Sequence, residues 1–331
     1  MGNPLQERVE KWFMSMPLGP AIQESNFQVM QFAKQLFCEY EPTRGAYPDF
    51  NQRAEAWLAN LEGDDERQQL LFRMLPRLFF VGPREFDSLY QTAFNHQFAV
   101  WLIDQLGVTF DDADCETKIR AAIKRTWFCP ITDSMRINSF YHLNGIEGQN
   151  YRPDWLSMAR FGSVEKIEKY IRRKKIERIV LLEDFVGNGG QIRNAVLFAA
   201  RLPSAIPVLV VPLVICPGAR DFRREISAEF AHVSIAPVLE LADREFVSKD
   251  PIADEDDLIS RWRELSLELA KRLQDGLSSE QLQQANKYIP LGWRDTGGLV
   301  VLYTNCPNNS LPIIFQKSKS WKPVFPRSAR A

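Results

Sequence analysis

The feature that most constrains this chain is the stretch 177–191, ERIVLLEDFVGNGGQ. Ile179, Val180, Leu181 and Leu182 are apolar in succession. That pattern fits a strand buried on both faces, as in a parallel sheet. Glu183 and Asp184 follow where such a strand is expected to end, and Gly187, Asn188, Gly189 and Gly190 then form a glycine-rich turn. Residues 191–201 read as a helix, with Ile192, Val196 and Ala199 at helical spacing. The order is therefore strand, acidic pair, glycine loop, helix. In open α/β sheets, ligands bind outside the carboxyl ends of the strands. A glycine loop that feeds a helix start turns backbone N–H groups and a positive dipole end toward an anion. No lysine follows the glycines, and their spacing is not that of a dinucleotide fingerprint, so two commoner phosphate loops are excluded. The other reading of the same residues is a tight strand–helix turn.

The flanking sequence repeats the alternation. Residues 127–131 and 207–215 read as strands, 219–230 as a helix and 232–239 as a further strand. This order predicts an α/β fold with a doubly wound, mostly parallel sheet, and places Glu183 and Asp184 at its carboxyl edge. Between them, residues 129–155 have little periodicity but carry Asp133, Ser134, Arg136, Asn138, Ser139, His142, Asn144 and Arg152. Two readings stand for this stretch: a binding loop, or a polar surface segment. Arg136 and Arg152 are the candidates for pyrophosphate contact, because a guanidinium fork matches phosphate oxygens. Residues 162–176 read as a helix capped by Ser163 and ending in the basic run 172–175, either a solvated terminus or a nucleic-acid contact. Residues 4–107 read as almost wholly helical, with helices over 4–16, after a Ser25 cap, after an Asp49 cap, over 65–80 and over 83–106. Their aromatic residues read as packing core.

The chain has 331 residues and a formal net charge of −1, so no global field recruits nucleic acid or an anionic membrane. Its five cysteines and three histidines contain no C-x-x-C pair, which gives no zinc pattern and fits a reducing compartment. No apolar run reaches membrane-spanning length, and MGNPLQERVEKWF lacks the apolar centre of a signal peptide. The cytoplasm is the expected location, with no membrane partner.

The run of hydrophobic strand, two acids, two skipped positions and a glycine loop resembles the signature of type I phosphoribosyltransferases. Glu183 and Asp184 match the acidic pair, and Gly187, Asn188, Gly189, Gly190 and Gln191 match the loop. The resemblance implies that the acids contact the ribose hydroxyls of phosphoribosyl pyrophosphate (PRPP), that the loop holds its 5′-phosphate, and that Mg²⁺ arrives with the substrate. The family loop carries hydroxyl side chains at three positions held here by Gly187, Asn188 and Gln191.

Three more motifs extend the likeness: P-L-G-W at 290–293, N-C-P-N-N-S-L-P at 305–312 and W-K-P-V-F-P-R at 321–327. Together with the acid–glycine stretch they resemble phosphoribosyltransferase-like proteins of bacterial conflict systems, some of them encoded beside retron reverse transcriptases and often with a winged-helix protein. Thr304 stands where such relatives often have histidine. The likeness spans 127–327. It implies a phosphoribosyltransferase-like, Rossmann-type parallel sheet over 111–331 and a helical N-terminal region over 1–110. It further implies an effector of anti-phage defence that transfers or hydrolyses a ribosyl-phosphate group. Its partners would be a reverse transcriptase, its DNA–RNA product and a winged-helix protein, held through the helical region, and a homo-oligomer is compatible with it. A non-catalytic nucleotide sensor or complex subunit is the second reading. The lost loop hydroxyls favour the sensor, and retention of both acids favours the enzyme.

Overall fold

The computed structural model describes residues 3–14, 19–43, 49–109, 111–146 and 164–328. They form two compact units, one of Met1–Pro83 with Arg244–Ala331, the other of Arg84–Asp243. The strands among the described residues are β1 (Phe79–Val81), β2 (Thr126–Pro130), β3 (Arg178–Val186), β4 (Val208–Ile215), β5 (Val233–Ile235), β6 (Leu239–Glu240) and β7 (Val300–Leu302).

The Arg84–Asp243 unit is built on a parallel sheet of order β2-β3-β4-β5, with β6 also pairing to β4. Every residue of β3 and β4 is buried, as the unbroken apolar runs require. Ile179, Leu181, Val208 and Val210 share one core with Ile167 and Ile171 of the helix Val164–Lys174, Val196 of Arg193–Ala200, and Phe222 and Ile226 of Arg220–Glu229. Near β2 the packing is aromatic: Phe128 lies 4.8 Å from Phe98 and 5.7 Å from Phe140, ring centre to ring centre. The expected helix over 83–106 is interrupted by a π-helical turn, Ala93–Phe98, that carries Phe94 and Phe98 into this cluster. The basic run after Arg172 ends its helix in solvent, with Arg173 lying over the Tyr170 ring.

The other unit combines helices from both ends of the chain with the two-stranded parallel sheet β1–β7. Asp49 caps the helix Phe50–Leu58 as its sequence predicts, its side chain accepting the Gln52 N–H at 2.9 Å. Ser25 does not cap. It lies inside the helix Gly19–Gln35 and donates to the Ala21 carbonyl, the local bond that serine forms one turn back. The helix expected over 65–80 stops at Phe72, because Pro76 opens a 3₁₀ turn and the next residues enter β1.

The expected division at residue 110 is not where these units divide. Residues 84–110 belong with the sheet of the second unit, and 244–331 belong with the N-terminal helices. The reason is visible in the W-K-P-V-F-P-R segment. Phe325 packs within an aromatic cluster at 5.3 Å from Phe37 and 5.9 Å from Phe50 and Phe80. Trp321 Nε1 and Trp57 Nε1 both donate to the Ile313 carbonyl, at 3.0 and 2.7 Å. Arg53 Nε donates to the Val324 carbonyl, and Tyr40 Oη to that of Pro326. The C-terminal motif therefore completes the core of the N-terminal helices.

Candidate functional site

β3 places the acidic pair. The strand runs past both acids to Val186, so they sit inside its last turn of pleat rather than beyond it. The ladder with β4 keeps one register across the acids, from Ile179↔Val208 through Glu183↔Pro212 to Phe185↔Val214 and Val186↔Ile215. Both carboxylates meet one partner.

That partner is the turn leaving β2. Ile131 N–H extends the β2–β3 pairing to the Leu182 carbonyl at 2.9 Å. Thr132 then donates its N–H to Glu183 Oε2 at 3.1 Å and its hydroxyl to both Glu183 oxygens, at 2.9 and 3.0 Å. Ser134 Oγ donates to Asp184 Oδ1 at 3.0 Å, and the Thr132 and Ser134 hydroxyls lie 2.7 Å apart. Glu183 is fully buried and Asp184 is 4% exposed. A carboxylate withdrawn from water in this way is tolerated only when hydrogen bonds replace its hydration, and the turn supplies them. Two neighbouring carboxylates thus hold two neighbouring hydroxyls.

The loop lies directly after the strand. Gly189 has φ +78°, and a Cβ there would fall 2.4 Å from the Phe222 ring, so only glycine fits. Asn188 Oδ1 accepts the Gly190 N–H at 3.1 Å, and the Gly189 carbonyl accepts the Arg193 N–H at 3.0 Å. The helix starts at Arg193, two residues later than expected, because 190–192 form the turn that enters it. Asn188 Nδ2 is buried with no hydrogen-bond partner among the described residues. Gly190 and Gln191 are exposed. An orphaned amide donor, an exposed glycine and a helix start form a donor set suited to an anion. On the far side Gly218, after β4, packs against the Gly187 carbonyl. Burial pushes the neighbouring Cys216 thiol far up, which leaves it inert.

The remaining candidates separate. Ser134 and Arg136 lie on the turn and helix start that follow β2, with Arg136 exposed at the N-cap of Ile137–Leu143. Asp133, Asn138, Ser139 and His142 are exposed. Asn144 donates to the Tyr90 and Phe140 carbonyls and so holds structure. His232 does likewise, its Nε2 bonding the Ala200 carbonyl at 3.0 Å. Arg152 and Ser163 lie outside the described residues. The residue that motif reasoning missed is Thr132. Its signal was the strand register, since Pro130↔Leu182 puts the next residues of β2 beside Glu183 and Asp184. The N-C-P-N-N-S-L-P turn belongs to the other unit, where Ser310 Oγ donates to the Val300 carbonyl at 2.6 Å and Asn309 Nδ2 to Thr296 Oγ1 at 3.1 Å.

A parallel α/β sheet with an acidic pair and a glycine loop at the carboxyl end of a central strand describes a phosphoribosyltransferase-like protein. The chain belongs to the PRTase-CE family, whose model matches residues 54–327. The match begins well before the residue at which the motif likeness starts and takes in helices of the N-terminal region. No curated protein and no solved structure matches the chain.

Proposed function

We propose that the chain binds PRPP or a related ribosyl-phosphate nucleotide at the carboxyl end of β3 and transfers or hydrolyses its ribosyl-phosphate group. The observation that carries this reading is the seating of two adjacent hydroxyls on Glu183 and Asp184. A ribose presents the same pair of donors, and the loop 187–191 lies next in the chain with uncommitted donors for a 5′-phosphate. In the reaction the bond from C1 to the pyrophosphate oxygen breaks and its electron pair leaves with pyrophosphate. The acceptor, a base, nucleotide, nucleic acid or water, bonds to C1 and gives up its proton to solvent. Positive charge grows at C1 as the bond breaks, and buried carboxylates beside the ribose oppose it.

Mg²⁺ arriving with such a substrate would supply charge neutralisation at its pyrophosphate. A Mg²⁺ held by one or two carboxylates and substrate oxygens needs no cage of protein ligands. Asp184, 4% exposed beside the fully buried Glu183, would be the residue suited to hold it. The two acids, the orphaned Asn188 amide and the loop are compatible with this arrangement.

A second reading, a nucleotide sensor without turnover, is favoured by one observation: Thr132 and Ser134 already take the acids' hydrogen-bonding positions. Purified protein assayed for turnover on a panel of PRPP and nucleotides, beside calorimetric binding with and without Mg²⁺, separates the two. Binding with turnover supports the enzyme, binding alone the sensor, and no binding removes both. A role in anti-phage defence, with a reverse transcriptase, its DNA–RNA product and a winged-helix protein, is supported by the motif likeness. Co-purification from the native locus tests it. No helix among the described residues is long and apolar enough to cross a membrane; the cytoplasmic location is proposed from the cysteine usage.

A further inference from the structure

The three C-terminal motifs leave a question that the acid pair does not answer. Each is built into the unit of Met1–Pro83 with Arg244–Ala331, and each delivers one side chain to the same open cleft of about 610 Å³. Trp293 comes from P-L-G-W, Asn308 from N-C-P-N-N-S-L-P and Arg327 from W-K-P-V-F-P-R. The backbone fixes their meeting. Gly292 has φ +85°, a Cβ on it would lie 2.5 Å from the Asn309 carbonyl oxygen, and the next N–H, of Trp293, donates to the Asn308 carbonyl at 2.8 Å. Thus the turn of one motif seats the tryptophan of another.

The chemistry of the lining is selective. Trp293 and Tyr288 are half-buried aromatic walls, and Tyr288 is held by a 2.9 Å hydrogen bond to Gln316 Oε1. Burial raises the Tyr288 hydroxyl while the Arg327 charge pulls it back down, so the guanidinium acts on this wall. Lys317 adds a second cation, exposed and without an ion pair among the described residues. One carboxylate, Glu280, also lines the cleft, which leaves cations in excess by one. The Trp293 indole N–H and the Asn308 side-chain amide make no hydrogen bond among the described residues. The lining therefore combines aromatic faces for stacking, unspent amide-type donors, and two cations. Aromatic faces take any planar base, and guanidinium and ammonium groups take phosphate oxygens.

We propose that this cleft is a binding site for a nucleoside monophosphate, with the base against Trp293 and the phosphate toward Lys317 and Arg327. It does not depend on the reading of the acid pair, since the residues belong to a different unit of the chain.

Calorimetry of the full chain with a panel of nucleoside 5′-monophosphates tests it, with ribose 5-phosphate and inorganic phosphate as competitors. Trp293→Leu removes the stacking face, and Lys317→Glu inverts an exposed charge without disturbing packing. Asp184→Asn serves as the control for binding at the other site. The wild type binds at least one nucleotide, and Trp293→Leu and Lys317→Glu each weaken it about tenfold or more. Lys317→Glu leaves thermal unfolding unchanged, and Asp184→Asn retains the affinity. The proposal is overturned by absence of binding to the wild type or by loss of binding in Asp184→Asn. It is equally overturned if either cleft variant stays within about twofold of the wild type, or if phosphate competes as well as the nucleotide.

Discussion

The hydroxyl oxygens of Thr132 and Ser134 stand 2.7 Å apart, and each donates to a different member of the acidic pair, Thr132 to Glu183 and Ser134 to Asp184. The chain thereby presents its own two hydroxyls to the two carboxylates. A ribose entering this site competes with an internal partner instead of with water. The internal bonds raise stability and oppose binding, so the two effects of removing a hydroxyl have opposite signs.

Ser134→Ala follows from that opposition. Loss of a hydrogen bond to a buried carboxylate lowers stability by about 1–3 kcal/mol. The ligand then meets an acid with one competitor fewer, and its affinity rises. Thermal unfolding and calorimetric titration with PRPP measure both. A weaker affinity with an unchanged melting temperature would show instead that the Ser134 hydroxyl contacts the ligand.

The glycines of the loop divide into structural and ligand-facing positions. Gly189→Val clashes with Phe222 and demands a positive φ of a β-branched residue, so the fold suffers. Gly190 is exposed, and its N–H bonds only Asn188 Oδ1. Gly190→Val is expected to abolish phosphate binding while the melting temperature stays close to that of the wild type. Nucleotide binding equal to that of the wild type in Gly190→Val would reduce the loop to a turn.

The parts of this fold that were legible in the sequence are those encoded locally. β3 and β4 are continuous apolar runs because both faces of a parallel strand are buried, and neither needs knowledge of distant residues. The glycine loop was legible for the same reason. Thr132 was not, because its role arises from a register between strands separated by a crossover. The place of Phe325 and Trp321 was not legible either. Their partners, Phe37, Phe50 and Trp57, lie near the opposite end of the chain, and such a contact leaves no periodicity in either segment. β1 has three residues between a proline turn and a helix, too few for a pattern of alternation to show.

Trp321 tests the joining of the two chain ends. It is fully buried, its indole nitrogen donates to the Ile313 carbonyl, and the Arg272 guanidinium lies 5.7 Å from its ring centre. Trp321→Ala opens a cavity and takes from the Ile313 carbonyl one of its two indole donors, at a cost of about 3–5 kcal/mol. Chemical denaturation read by circular dichroism should show that loss. A variant as stable as the wild type would mean that 321–327 is a detachable tail and not part of the core.

The acidic pair is expected to respond unequally to neutralisation. Glu183 receives the Thr132 N–H and hydroxyl on its two oxygens and is fully buried, whereas Asp184 receives the Ser134 hydroxyl and is 4% exposed. Glu183→Gln keeps one oxygen, which can accept the Thr132 N–H in the Oε2 position while the Thr132 hydroxyl rotates to accept from the NH₂ group. Hydrogen bonds to a buried charge are thereby exchanged for weaker neutral ones, at a cost of about 1 kcal/mol, so Glu183→Gln lowers the melting temperature. In Asp184→Asn the retained amide oxygen still accepts the Ser134 hydroxyl, so stability falls less than in Glu183→Gln. The charge is lost all the same, and with it the field that opposes positive charge at C1. Asp184→Asn should therefore lose turnover, or cation-dependent binding if the site only senses, while melting near the wild-type temperature. Glu183→Gln should lose both stability and activity. Side-by-side turnover, Mg²⁺-dependent calorimetry and thermal unfolding of the three proteins decide the matter. Full turnover in Asp184→Asn would remove the electrostatic role, and leave the pair as the fastening of the β2 turn to the end of β3.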